Sequence, residues 1–166
     1  MDRAISENHG SSMMELRSKL PYTEAVLLEI QRLGNVSPTA LLHTTTAPTT
    51  VGKFNFPVDT HILPHLTSMM MDPEAFPEPR RFNPKRFIDD RGCFAPHHNV
   101  VPFGVGKRKC PGENLAKAEL FIFFTSLVHK FEIRPAHEND LPTTKYRPGV
   151  ALAPLPFKAR FISRYT

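Results

Sequence analysis

The chain has 166 residues, 40% of them hydrophobic, and a formal net charge of +5. That length suits one ordinary domain with a modest core, and the positive charges are spread among 16 acidic residues with no base-reading motif or aromatic–basic platform, which argues against a nucleic-acid reader. Two cysteines, Cys93 and Cys110, make no disulfide framework, and the N-terminus lacks the apolar core with basic flank of a signal peptide.

Taken in chain order, residues 1–20 form a polar lead-in without clear periodicity. Pro21 suits the start of a helix, and Val26, Ile30 and Leu33 recur at helical spacing before Gly34 closes it, so a helix is expected over 21–34. Glu29 and Arg32 lie beside that apolar stripe. Taken alone, an exposed i,i+3 pair of this kind is common and contributes only about 0.2–0.5 kcal/mol. From 41 to 63 the pattern turns β-like: Leu41 to Thr46 and Lys53 to Phe56 precede a turn at Pro57-Val58-Asp59-Thr60, which predicts a small sheet. His61 and His65 have i,i+4 spacing, but Pro64 between them spoils a helix and the segment reads as a strand, so the pair is not expected to hold a metal. The run Met69-Met70-Met71 is expected to fill gaps in a core or lie on a helix surface. Residues 72–102 are rich in proline, aromatic and charged residues and predict a long meander, in keeping with 17 prolines in the chain. Cys93, His97 and His98 lie in it, without the paired spacing that a zinc site uses.

The segment from Phe103 to Gly112, FGVGKRKCPG, is the most informative part of the chain. Gly104 and Gly106 permit backbone conformations that a Cβ forbids, so the loop can bring its amides close to a sulfur. Pro111 suits the first position of a helix, and helix formers run from 112 to 131. Cys110 is thus expected at a helix N-terminus, where the dipole and the neighbouring Lys107, Arg108 and Lys109 favour a thiolate, the form that binds metals. A lone cysteine is more often a small buried hydrophobe; the pattern around this one changes that reading. The apolar stretch from Leu120 to Val128 is about half the roughly 20 residues needed to cross a bilayer and predicts a core helix. Residues 141–166 read as a β-hairpin tail of two strands broken by Pro154 and Pro156. No internal repeat or low-complexity tract is present, and the elements together predict a mainly α chain with small β-sheets, of the α+β class.

The spacing F-x-x-G-x-R-x-C-x-G over 103–112 resembles the haem-ligand loop of the cytochrome P450 family, with all five fixed positions met. Two further stretches occur upstream in the family's order: Glu29-Ile30-Gln31-Arg32 resembles its E-x-x-R, and Phe82-Asn83-Pro84-Lys85-Arg86-Phe87 its F-x-P-x-R-F. The wording around Leu20 to Val26 and Gly106 to Cys110 is most similar to the microsomal, animal-type branch. The resemblance covers nearly the whole chain, yet the family's domain is much longer. The chain is therefore expected to be the C-terminal portion of the P450 fold, incomplete as given. The family's N-terminal anchor, early helices and long oxygen-activating helix with its acid–Thr pair have no match here. Asp2-Arg3-Ala4-Ile5 resembles an internal helix of the family, so the start reads as a truncation or a partial gene model.

The resemblance implies a haem-thiolate monooxygenase that inserts one atom of O2 into a lipophilic small molecule, with haem b as cofactor. Electrons would come from NADPH indirectly, through a flavin- or iron–sulfur-containing reductase drawn to the lysines beside the loop. Cys110 would be the axial iron ligand, Phe103, Gly104 and Gly112 would shape its loop, and Arg108 and His43 would pair with the haem propionates. Glu29, Arg32 and Arg86 would form a buried network holding the meander. Ser37, Ala40 and Leu41, with Val150 and Ala151, would line the substrate side. No catalytic residue is expected within the chain itself, the oxygen-activating helix being absent. The branch implies the cytoplasmic face of the endoplasmic reticulum membrane, reached through the missing N-terminus. The alternative is a non-enzymatic, truncated haem-binding fragment.

Overall fold

A computed structural model describes Ile5 and residues 12–138 and 141–165. Half of the expected lead-in, including Asp2-Arg3-Ala4, lies outside these residues. The described part is a mainly α chain with four small antiparallel two-stranded sheets.

A 3-10 turn at Glu15–Lys19 leads into helix α1, Pro21–Gly34, with Pro21 in its first turn where the missing N–H costs nothing. Asn35, not Gly34, takes the left-handed position after it (φ 40°) and donates its N–H to Gln31 O at 3.1 Å. An asparagine tolerates that backbone better than most residues, and its side-chain amide donates to Thr67 Oγ1, which tethers the helix end to α2, Leu66–Met70.

The expected stripe of Val26, Ile30 and Leu33 is not the buried side of α1: Ile30 is 41% exposed, and the buried residues are Thr23, Glu24, Ala25, Leu27, Leu28, Glu29 and Arg32. Ala25, Leu28, Glu29 and Arg32 stand at i, i+3, i+4 and i+7, one helical face. That face mixes apolar and charged residues, so hydrophobicity alone points to the wrong side.

Two of the three core clusters are built on α1. Leu20 and Leu27 meet Leu16 and Phe121, whereas Ala25 and Leu28 meet Phe76 and Phe87 of the meander. The third joins Leu66 and the fully buried Met70 to Val101, just before the cysteine loop. Met69 stays on the surface of α2, so the methionine run serves both expected purposes.

The small sheet of 41–63 is two nested ladders. Strand β1, His43–Thr44, pairs with β4, His61–Ile62, and inside them β2, Thr49–Val51, pairs with β3, Phe54–Phe56. Helix α3, Glu113–Lys130, runs straight into β5, Phe131–Pro135. The tail is not a single hairpin. Strands β6, Tyr146–Arg147, and β7, Ala153–Pro154, pair locally, while β8, Ala159–Ser163, crosses to β5 in the register Phe131↔Ser163 to Pro135↔Ala159. Pro154 and Pro156 end the first pairing and leave the last strand free to reach the end of α3.

Helix α3 is not enclosed as a core helix would be. Phe121 and Thr125 are fully buried, but Leu115 and Phe123 are each 65% exposed and Leu120 and Leu127 are partly so. Its apolar residues surround the axis, the pattern of a helix meant to be covered on several sides, and the described residues cover one.

A buried ionic network binds α1 to the meander. Arg32 donates from Nε to Glu29 Oε2 at 2.7 Å and from Nη2 to Oε1 at 2.9 Å, and both side chains are fully buried. Its Nη1 donates to Met70 O at 2.8 Å, so the guanidinium also fastens the end of α2. Glu29 Oε1 further accepts the Asn83 N–H at 2.9 Å and Arg86 Nε at 3.3 Å. Arg86 extends to the carbonyls of Pro77 and Arg81. The Phe76 ring lies under Arg32 and Arg86, with guanidinium carbons 5.1 and 6.0 Å from its centroid. His97 meets the same ring edge-on at 4.8 Å and stacks on His98, and its Nδ1 accepts the Asn99 N–H at 3.2 Å. Burial pushes His97 below the ordinary histidine value, and the nearby His98 adds to this.

Four measurements check this fold. Glu29→Gln should cost about 3–5 kcal/mol in denaturant unfolding, because it leaves Arg32 buried and uncompensated. Arg86→Lys should cost less, about 1–3 kcal/mol, since lysine cannot fork to both carbonyls; an unchanged midpoint would make Arg86 an ordinary surface cation. Phe121→Ala should cost about 3–5 kcal/mol, and Phe123→Ala in the same chain far less. The proton bound to His97 is disfavoured in the folded state, so the unfolded chain binds more protons as pH falls through the ordinary histidine range. Stability should therefore be full above that range and decline below it, and His97→Gln should flatten the decline in a stability–pH series.

Candidate functional site

The cysteine loop begins where Val101 leaves the third core cluster, and two glycines let it turn: Gly104 has φ 76° and Gly106 φ 72°. A side chain at either position would be strained in that backbone. A short 3-10 turn, Gly106–Arg108, follows, and the Cys110 N–H donates to Phe103 O at 2.8 Å, closing the loop on itself. Pro111 lies before the helix and not inside it. Gly112 is the cap residue of α3, and Glu113 donates its N–H to Cys110 O at 3.4 Å. Cys110 therefore stands just outside the helix N-terminus, as a free and exposed thiol.

The charges around it differ in their engagement. Lys107 and Arg108 are exposed and carry no ion pair or hydrogen bond from their side chains among the described residues. Lys109 and Lys117 are both bound to Glu113, at 3.2 and 2.6 Å, and Lys117 Nζ also lies 5.6 Å from the Phe103 ring centroid. The hydrogen bond from Lys117 holds the Glu113 carboxyl below the usual carboxylate range; burial opposes this and Lys109 supports it. Of the lysines beside the loop, this carboxylate engages two, and its i−4 and i+4 spacing to them was legible in the sequence.

The remaining expected site residues divide. Glu29, Arg32 and Arg86 are brought together in the network above. His43 lies in β1, half-buried and opposite Ile62. Ser37 turns back to donate its hydroxyl to Thr39 O at 2.9 Å. Ala40 packs against the Leu66, Met70 and Val101 cluster, so part of its surface is core and not lining. Leu41 and Val150 are 83% and 93% exposed, and Ala151 is exposed beside Val150. A single hydrogen bond, Leu152 N–H to Val36 O at 2.7 Å, brings the 149–152 turn beside the segment after α1. Partners that sequence reasoning missed are the Asn83 amide, the Met70 carbonyl and the Phe76 ring, because backbone groups and ring placement have no sequence signature.

This donor set is one exposed cysteine sulfur next to unpaired cations, set in a loop whose Gly104 and Gly106 hold a left-handed backbone that a side chain would strain. It fits an iron porphyrin, whose metal accepts a thiolate and whose carboxylates accept cations. Among the described residues no group of three His, Cys, Asp or Glu side chains could hold a bare metal ion.

The comparisons with known proteins agree with that fit. The family model for cytochrome P450 matches residues 1–161. Cytochrome P450 2J1 of Oryctolagus cuniculus is 42% identical over 164 residues, covering 99% of this chain and 32% of its own length. Cytochrome P450 2C44 of Mus musculus is 39% identical over 165 residues, 99% of this chain and 33% of its own, and cytochrome P450 2U1 of Homo sapiens is 40% identical over 157 residues, 95% and 29% respectively. The chain spans about a third of the length of these relatives. From its first residue to residue 161, it belongs to the cytochrome P450 family.

Proposed function

We propose that Cys110 is the axial thiolate ligand of a haem b, and that the protein to which this chain contributes is a monooxygenase. It would insert one atom of O2 into a lipophilic small molecule. The observation that carries this reading is the loop itself: an exposed free thiol, fixed by its own N–H to Phe103 O and set at the start of α3 beside unpaired cations. When bound, the haem iron supplies oxygen activation, and its thiolate ligand favours O–O cleavage, an effect of which P450s are the type case.

The residues of the chain do the holding. The Phe103 carbonyl fixes the Cys110 backbone, so the sulfur is presented from a closed loop. The N-terminus of α3 surrounds that sulfur with positive potential, which suits an anionic ligand. Arg108 and His43, whose side chains have no hydrogen-bond or ion-pair partner among the described residues, would pair with the propionates. Gly104 and Gly112 shape the loop, and the Phe103 ring, with Lys117 Nζ 5.6 Å from its centroid, would pack over the sulfur once haem is bound. Leu41 and Val150 offer aliphatic surface to a substrate recognised by shape, with Ser37, Ala40 and Ala151 beside them. Glu29, Arg32 and Arg86 act at a distance by keeping the meander, and with it the loop, against α1. Lys107 and the two lysines on Glu113 present the basic surface for a flavin- or iron–sulfur-containing reductase fed by NADPH. The similarity to microsomal relatives favours the endoplasmic reticulum membrane; no helix among the described residues is long and apolar enough to cross a membrane.

A second reading is favoured by the uncovered side of α3. In it the isolated 166-residue chain binds haem without catalysing oxidation, for want of the elements that would enclose that helix and the substrate.

The carbonyl spectrum tests the first reading. The reduced, haem-loaded protein under carbon monoxide should show the red-shifted Soret band of a thiolate ligand. Cys110→Ser should abolish it and Cys93→Ser should leave it intact; a band that survives Cys110→Ser sinks the assignment. Turnover by the 166-residue chain alone would dismiss the second reading.

A further inference from the structure

The loop around Cys110 is closed on its outer side by a chain of side-chain contacts that the family pattern F-x-x-G-x-R-x-C-x-G does not include. Lys109, the residue before the cysteine, reaches Glu113 Oε2 at 3.2 Å, and Glu113 Oε1 meets Lys117 at 2.6 Å. Lys117 Nζ in turn lies 5.6 Å from the ring centroid of Phe103, whose carbonyl holds the Cys110 N–H. The contacts thus start at Lys109, pass along the first turn of α3 and return to Phe103, where the loop begins.

We propose that Glu113 is a positioning residue for the axial thiolate: by bridging Lys109 and Lys117 it clasps both ends of the ligand loop to α3 and keeps Cys110 in its ligating place. This rests on the haem-thiolate reading above. Glu113 is suited to the task because it opens α3 four residues from each lysine, between Lys109 in the loop and Lys117 one turn along the helix, so both ammonium groups reach its carboxylate. Its side chain is only 19% exposed, whereas that of Lys109 is 58% exposed. The carboxylate is the better-held end of the pair, and the lysine next to the cysteine is the one it restrains. The loop's other restraints are backbone bonds, including Lys109 N–H to Gly106 O at 3.3 Å and Glu113 N–H to Cys110 O at 3.4 Å. Those two are long, so beside the 2.8 Å bond from Cys110 N–H to Phe103 O, which fixes the cysteine backbone, the clasp carries a share of the restraint on the Lys109 side of the loop.

The test follows the reduced carbonyl complex of the haem-loaded protein, timing the conversion of its thiolate-type Soret band to the unshifted band. Glu113→Gln should speed this conversion about three- to fivefold, the range of two i,i+4 ion pairs acting together, and Lys117→Gln about twofold. The double variant should be no faster than Glu113→Gln alone, since both changes break one chain of contacts. Raising salt to about 1 M should bring the wild-type rate toward that of Glu113→Gln and leave the variant's rate unchanged, a response that lost packing would not give. Far-UV helicity and the unfolding midpoint are recorded beside each rate, and Lys109→Gln, which changes a residue outside α3, serves as the second variant. A wild-type conversion rate in both Glu113→Gln and Lys109→Gln overturns the proposal, as does equal salt dependence in wild type and variant. So does a loss of band and helicity together, which would make Glu113 a folding residue. If the wild type shows no thiolate-type band at all, the haem-thiolate reading falls and this one with it. A band lost in Cys110→Ser but indifferent to Glu113 and Lys109 overturns the positioning role alone.

Discussion

The Glu29 carboxylate is the point on which the described structure depends. It lies on α1, fully buried, and its two oxygens accept from Arg32, Arg86 and the Asn83 backbone at once. Charges withdrawn this far from water are tolerated only when each is matched by hydrogen bonds, and breaking one leaves the others unmatched. The arrangement therefore specifies one docking of the meander on α1. A shift of the chain by a single residue at Asn83 or Arg86 would misplace a donor. Hydrophobic clusters on either side of the network supply the burial, but Phe76 and Phe87 could slide against Leu28 in ways that a forked guanidinium on a carboxylate cannot.

That docking has consequences for the cysteine. The meander ends at Val100 and Val101, which pack against Met70 and Leu66, and Met70 is itself held through its carbonyl by Arg32. The loop carrying Cys110 thus starts from a residue whose place is set, two steps removed, by the ionic network. At its far end the loop passes into α3, whose contact with α1 rests on Phe121 against Leu20 and Leu27. The sulfur is suspended between two attachments to the same helix α1, one ionic and one apolar. Between them the loop's own backbone bonds and the Glu113 bridge define its shape. The apolar attachment carries an ion pair of its own, Arg17 Nε to Glu24 Oε1 at 2.6 Å, with the Arg17 guanidinium carbon 5.8 Å from the Phe121 ring centroid.

The uncovered side of α3 fits the same picture. Leu115, Leu120, Phe123 and Leu127 give the helix an apolar surface that nothing among the described residues covers. A helix apolar all round is stable only when enclosed, and the chain spans about a third of the length of its relatives. The exposed Leu41 and Val150, joined through the bond between Leu152 and Val36, belong to a second uncovered surface.

Much of the site was legible in the sequence because its chemistry is local. The glycines at 104 and 106, the cysteine at 110 and the helix after it follow from backbone permissiveness and helix-end electrostatics within ten residues, and the carboxylate of Glu113 stands at a readable spacing from both lysines. The separation of Glu29, Arg32 and Arg86 along the chain was legible only through the resemblance, since an i,i+3 ion pair by itself describes a surface as well as a core. Periodicity misplaced the buried side of α1, because the face that tertiary contacts bury contains two charged residues and the exposed one contains Ile30. It also read the tail as a single hairpin, where β8 instead crosses to β5 over a separation that no local signal encodes. The sequence by itself determined which residues could turn, ligate or cap, as those properties belong to a residue and its neighbours. Which face was buried, which strands paired and which backbone carbonyls received the arginines was decided by the tertiary structure, because burial and long-range hydrogen bonds exist only once distant segments share the same space.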